Sequence, residues 1–425
     1  MGFILEFFKY IVDLGVAVMM PIIITILGLI FRKKLGISFK AGVTVGIGFT
    51  GLNIVTNLLL KTISPVTEAL IERFGFSLTA TDIGWPVGAS IAWGTEVVPF
   101  VFIAIIATNI IMIALNWTKT MDIDIWNYWQ PLIVASALYL TTGSMVIAVI
   151  SSIINMAIIF KLADWTQKDV EEVLGLEGIS LPQIQTTAWS IIGYPINWLI
   201  DKIPGIRKIN WTTDGVQKKL GIFGEPMMMG LIIGIGLATA AGYSLDKILQ
   251  TGITVAASLI LIPRMVAILM DGLTVISEAA HEFMEKRFPG RELYIGLDSA
   301  VGIGHPFVLA LGLIMVPITL CLAFILPGNK TLPLADLAGL PFYMIFAIVP
   351  SKGNLFRGLI TGVIIVIAIL YISSAVSPMM TELASTVGYD IPSDASQITN
   401  LAVGSQWYTW VVYWLLETIK HIFPF

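Results

Sequence analysis

The sequence predicts an all-α polytopic membrane protein of about ten transmembrane helices in two inverted repeats, with paired re-entrant hairpins and interfacial amphipathic helices. Three observations predict it. Of 425 residues, 56% are hydrophobic and 12% charged, with a mean hydropathy of +0.89, against roughly 25% charged residues in ordinary soluble chains. Many apolar runs reach the roughly 20 residues that a bilayer crossing needs. The chain is also written twice: 15–30 (GVAVMMPIIITILGLI) aligns with 224–239 (GEPMMMGLIIGIGLAT) at a separation of 209, and GVTV at 42–45 with GITV at 252–255 at 210. The register then drifts, pairing 72–75 with 286–290, 82–88 with 294–302, and 178–189 with 389–402. Duplication in a membrane chain predicts a pseudo-two-fold axis, with a ligand site near the midplane where the copies meet.

Taken in order, the spans fall near 11–31, 41–60, 97–116, 131–160 and 186–201 in the first copy (1–210), and near 221–243, 249–270, 303–327, 341–371 and 401–419 in the second (211–425). Glu6 and Lys9 precede the first run, which lacks a small-residue cleavage site and so reads as a span rather than a removed signal peptide. The runs at 131–160 and 341–371 exceed one upright crossing, which implies tilt or a break. Loops 31–40 and 201–220 hold four and five Lys/Arg and are expected in the cytoplasm. The acidic 160–178 loop (Asp164, Asp169, Glu171, Glu172, Glu177) is then expected outside. Five spans per copy, an odd number, would bring the second copy in upside down. Between the second and third spans of each copy lie 64–75 and 275–290, where apolar residues recur at helical spacing with charges between them, as in a helix lying along the interface.

Two kinds of segment in each copy are too short, or too rich in Gly and Pro, to span: 81–100 with 292–307, and 178–189 with 390–407. Irregular backbone survives at membrane depth only when buried in protein or lining a watery cavity, so these read as re-entrant hairpins that carry a binding site. Asp298 leads the candidates, since a carboxylate among glycines and apolar residues is costly unless paired or wet. The alternative is a structural bond to backbone amides at a hairpin tip. His305 could bind ligand or take a hydroxyl proton, or simply anchor its hairpin. Glu96, the only carboxylate within 83–121, and Asp82 are further candidates, with helix capping the plainer reading for Asp82. Gln183, Gln185, Thr186 and Thr187, with Ser396, Gln397, Thr399 and Asn400 in the second copy, offer neutral hydrogen bonding suited to an uncharged polyhydroxylated ligand. Trp85, Trp93 and Trp189 are placed for stacking on a sugar, while Trp117, Trp126, Trp129, Trp211 and Trp407 read as interfacial anchors. A net charge of −4 argues against a nucleic-acid partner, and Cys321, the single cysteine, offers neither a disulfide nor a metal framework. No metal or cofactor is expected.

The segments GIGFTGLNIV (46–55), DIGWPVGASIAWGTE (82–96), GISLPQIQ (178–185), GEPMMMGLIIG (224–234), YIGLDSAVGIGHP (294–306) and GLPFYMIFAIVPSKGNLFRG (339–358) resemble the IIC component of the galactitol family of the bacterial phosphotransferase system. The likeness runs over nearly the whole chain, and the family is distantly similar to the ascorbate IIC components. The resemblance implies a multi-pass protein of the bacterial inner membrane, a homodimer with a scaffold (11–60 plus 221–270) and an elevator-like core transport domain (81–201 plus 292–419). It implies galactitol or a similar hexitol as substrate, phosphorylated by a phosphocysteine of a separate IIB subunit that IIA recharges. Asp298 and Gln183–Gln185 match site positions of the ascorbate relatives. The histidine that those relatives carry in the same hairpin falls at Pro182 or Gln183 here, which fits a neutral substrate. Asp298 and His305 become candidate general bases, and 31–40, 201–220 and 275–292 candidate docking segments for IIB. An ion-coupled secondary transporter of a small polyol or sugar is the alternative, with Asp298, Glu96 or Asp82 as proton or sodium sites.

Overall fold

The computed structural model describes residues 16–75, 78–209, 211, 222, 225–287, 290–389, 391 and 396–422. Expectations on Glu6 and Lys9, on Lys218 and Lys219 of the second basic loop, and on 392–395 lie outside the described residues. In the first half α1 (Val16–Ile30) and α2 (Leu35–Phe74) lead to β1 (Ala80–Asp82), α3 (Trp85–Trp93), α4 (Val98–Ala114), β2 (Thr120–Asp122), α5 (Trp129–Thr142), α6 (Met145–Leu174), β3 (Ile179–Ser180), α7 (Ile184–Thr187) and α8 (Ser190–Lys202). The second half holds α9 (Pro226–Ala240), α10 (Leu245–Arg287), β4 (Tyr294–Gly296), α11 (Pro306–Ile325), β5 (Thr331–Leu332), α12 (Leu340–Ile348), α13 (Leu355–Thr386), β6 (Gln397–Thr399), α14 (Leu401–Gly404) and α15 (Trp407–Ile422). Short 3-10 turns precede α5, α11 and α12 at Ile125–Asn127, Ser299–Gly304 and Ala335–Gly339.

Among the described residues five helices are long and apolar enough to cross a membrane: α2, α6, Leu245–Ala280 of α10, α11 and α13. The pair α3–α4, bent by 100°, makes a sixth if taken as one span. Both overlong runs are broken, each at a left-handed turn. Gly143 (φ 65) ends α5 and Ser144 caps α6. Lys352 (φ 53) and Gly353 (φ 76) follow α12, and Asn354 Oδ1 then accepts from the amides of Phe356 and Arg357 to open α13.

The amphipathic pieces expected as separate interfacial helices are instead continuous with α2 and α10, helices of 40 and 43 residues. At about 1.5 Å per residue these run on the order of 60 Å, roughly twice the hydrocarbon thickness. The two pack antiparallel through glycine, as small residues allow in membranes. A Cβ on Gly48 would lie 2.6 Å from Leu269 Cβ, and one on Gly272 would lie 2.7 Å from the Ala41 carbonyl oxygen.

Among the described residues, six strands of two or three residues form two small parallel sheets, ordered β5-β1-β6 and β2-β4-β3. The central strand of each comes from the other half of the chain. Ala80 pairs with Thr331 and Gln397, while Ile295 pairs with Met121 and Ile179. The halves are thereby stitched together by exchanged strands just where the hairpins begin.

One end of the molecule corrects the expected orientation. Lys33 meets Glu282 at 3.7 Å, Gly178 abuts Ser277, and Lys119 pairs with Glu292 at 2.6 Å while its amide donates to Asp164 at 3.0 Å. Lys352 pairs with Asp169 at 2.5 Å and Glu172 at 2.6 Å, and Arg357 with Asp201 at 2.7 Å. The acidic 160–178 segment therefore shares an end with 31–34 and 201–209 rather than lying across the membrane from them. The reason is α8. Its 13 residues reach only about 20 Å, short of the roughly 30 Å that a crossing needs, and Asp201 near its end pairs with Arg357 close to the Lys352–Asp169 pair. Acidic residues contribute little to the positive-inside bias, so that bias never constrained this loop.

Candidate functional site

β4 delivers Asp298 to the N-terminus of the 3-10 turn at Ser299–Gly304. Its Oδ1 accepts from the Ala300 amide at 2.7 Å, and its Oδ2 accepts from Gln183 Nε2. The Asp298 amide donates in turn to Asp124 Oδ2 at 3.1 Å. Gln183 holds the N-cap position of α7 in the facing hairpin without a side-chain capping bond, and its Oε1 accepts from the Thr186 hydroxyl at 3.0 Å, which also lies 3.0 Å from the Phe342 carbonyl oxygen. Gln130 Oε1 pins that hairpin by accepting from the Ile184 amide at 3.1 Å. Two hairpins from different halves thus meet at one carboxylate–amide contact.

Beside this contact lies a cavity of about 340 Å³ that Asp298, Gln183, Gln185 and Trp85 line together. That volume is near the small end of ligand pockets, roughly 300–1,000 Å³. Trp126, Trp129, Phe49 and Phe342 complete an aromatic wall, with Trp85 and Trp126 edge-on at 6.1 Å. Trp126 and Trp129 are accordingly cavity residues and not interfacial anchors; Trp129 is buried. Asn53, Thr56 and Asn57 of α2 also line it, and sequence reasoning missed them. The available signal was three polar residues at i, i+3 and i+4 in an apolar run. Chemically the site offers one carboxylate, neutral amides and hydroxyls, and flat apolar faces.

A family model for the sugar-specific permease component of the PTS, the phosphotransferase system, matches residues 10–394. The chain belongs to this permease family. It is 40% identical over 398 residues to an Escherichia coli (strain K12) protein provisionally described as a permease IIC component, covering 94% of this chain and 91% of that one. It is 37% identical over 383 residues to the galactitol-specific EIIC component of the same strain, covering 90% and 85%; the corresponding protein of Escherichia coli O157:H7 matches to the same extent. As a PTS permease it is an integral protein of the inner membrane, in keeping with its apolar helices.

The permease does not bring every candidate residue to this cavity. Asp82 spends both oxygens on backbone: Oδ1 accepts from Gly84 at 3.0 Å, and Oδ2 from Leu334 at 3.0 Å and Asp336 at 2.8 Å. His305 caps α11, its Nδ1 accepting from the Phe307 amide at 3.3 Å, and is not among the cavity-lining residues. Thr186 is fully buried behind Gln183. Gln397 sits in β6, with Oε1 accepting from the Ser377 hydroxyl at 2.7 Å. Glu96 lines a separate cleft of about 390 Å³ with Thr95, Ser136 and Tyr139, whose hydroxyl donates to it at 3.5 Å. Neither Trp93 nor Trp189 lines the 340 Å³ cavity. Trp93 packs on Phe102, and Trp189 is fully buried with Nε1 donating to Ser405 at 3.2 Å.

Proposed function

We propose that this permease takes up galactitol or a similar hexitol in a process coupled to its phosphorylation by a phospho-IIB partner. The observation that carries the reading is the meeting of Asp298 and Gln183 at a cavity walled by tryptophans, with no cationic side chain among its lining residues. Such a site suits a neutral polyol: hydroxyls donate to the carboxylate and exchange bonds with amides, while C–H faces rest on indole rings. The galactitol specificity in the name of a 37% identical relative supports the same substrate class.

An inverted repeat is supported by the matching order of elements in 16–202 and 226–422 and by the antiparallel run of α2 and α10. We take 11–60 plus 221–270 as a scaffold, in which α1, α2, α9 and α10 pack on one another. The hairpins belong to a core (81–201 plus 292–419) that moves past the scaffold as an elevator, in a homodimer. IIB would dock at the end that gathers 31–34, 201–209 and 275–292. Asp298 stands as general base for the hydroxyl that receives phosphate, with His305 as the second candidate, and positioning carries most of the transfer.

The test is uptake of labelled galactitol with and without the soluble IIA and IIB proteins. Phosphorylated product that depends on them is expected. A second reading, ion-coupled secondary transport, is favoured by one observation: Asp122 and Asp124 lie buried behind Asp298. Unmodified galactitol accumulating along an ion gradient without IIA and IIB would replace the first reading with the second.

A further inference from the structure

We infer that α2 supplies the specificity wall of the polyol site through Asn53, Thr56 and Asn57. The inference rests on the hexitol reading above and adds to it the residues that choose among hexitols. The three positions share one helical face and line the same cavity as Asp298, Gln183 and Gln185. Polar side chains within an apolar span are costly unless they face protein or a watery cavity, and this cavity is what these three line.

The hydroxyls of α2 show which residue is held in reserve. Thr44, Thr50 and Thr62 each donate to the carbonyl one turn back, on Lys40 at 2.9 Å, Gly46 at 2.8 Å and Leu58 at 2.7 Å. Thr56 and Thr67 make no such bond and their hydroxyls are buried without a partner, but of the two it is Thr56 that lines the cavity. Gln185 Oε1 is equally unpaired, and the exposed side chains of Asn53 and Asn57 line the same cavity. Buried polar groups left unpaired cost free energy, so this site is completed by a ligand. A row of hydroxyls fits, because each can donate to Gln185 and accept from Thr56 or an asparagine amide. Asp298 anchors one hydroxyl for any hexitol, whereas the α2 amides read the configuration of its neighbours. A site built to bond a hydroxyl rejects analogues that lack or misplace it.

The test is calorimetric binding of galactitol, sorbitol and mannitol to the full chain in nanodiscs. Thr56→Val is expected to weaken galactitol binding about fivefold, the worth of roughly one neutral hydrogen bond, and Thr56→Ser to restore it. Asn57→Leu and Asn53→Leu are expected to reduce the preference for galactitol over its isomers by about fivefold each. Thr62→Val, which removes a hydroxyl already bonded to its own helix, serves as the control and leaves affinity unchanged. An unchanged melting temperature shows that each variant is folded. Wild-type affinity and preference in the α2 variants, with binding lost in Asp298→Asn, overturn the inference and leave the hexitol reading standing. No hexitol binding by the wild type overturns both. Binding retained in Asp298→Asn but weakened in the α2 variants upholds the wall and removes Asp298 from the site.

Discussion

The amide of Asp298 donates to Asp124, a residue 174 positions earlier in the chain. The opposite hairpin is held by the same device: the Trp85 amide donates to Asp336 Oδ1 at 2.6 Å across 251 positions. Each half therefore contributes a fully buried carboxylate that fastens the other half's hairpin. Asp124 also accepts from Trp126, and Asp336 from Ala402, so each carboxylate ties two segments at once. At this matching bond the first half has Trp85 and the second has Asp298, whose carboxylate accepts from Gln183.

Asp124→Ala should destabilise the fold before it affects ligand. It leaves the Asp298 and Trp126 amides unpaired, at about 1–3 kcal/mol each. A lowered melting temperature in detergent is expected. Asp124→Asn, which keeps one acceptor, should recover part of the loss; equal stability of the alanine variant and wild type would refute the clamp.

Asp298→Asn should cost at least about tenfold in galactitol affinity, because hydrogen bonds to a charged group are worth roughly 1.5–3 kcal/mol. The fold should persist, since the Asn oxygen can still cap Ala300. Equilibrium binding and size-exclusion profiles check the two halves of this statement.

Glu96→Gln should change galactitol affinity by less than about twofold, as expected of a group without shared partners at the site. Glu96 lines a different cleft from Asp298. A larger loss in the same titration would show that the two clefts act as one site.

Lys352→Met should destabilise by less than about 1 kcal/mol, the usual worth of a half-exposed pair, and the difference should vanish in about 1 M salt. Burial by itself would lower the Lys352 ammonium, but Asp169 and Glu172 hold it above its ordinary value. Its contribution is therefore present below the ordinary lysine range and is lost as pH rises through the raised value. Melting temperatures of the two proteins across an alkaline pH series would test this.

Part of the candidate cavity's lining was legible beforehand. Asp298 and the Gln183–Gln185 stretch stood out because polar residues in short Gly- and Pro-rich segments have few reasons to sit at membrane depth. The α2 residues were hidden, since three polar positions in a span carry no sign of what they face. Trp126 and Trp129 look the same in sequence whether they anchor at an interface or wall a cavity. The six strands, two or three residues each, are too short to leave a periodic signal.

The sequence by itself determined the all-α, membrane-spanning character of the chain and where most of its apolar helical stretches lie. In lipid each helix satisfies its backbone within its own segment, so these are local facts. Tertiary structure alone decided which end the 160–178 segment occupies, which strands are exchanged between halves, and that Asp124 and Asp336 fasten the hairpins. Those outcomes are hydrogen bonds and ion pairs between residues far apart in sequence, as in the Asp124–Asp298 clamp, and no local preference encodes a partner at that distance.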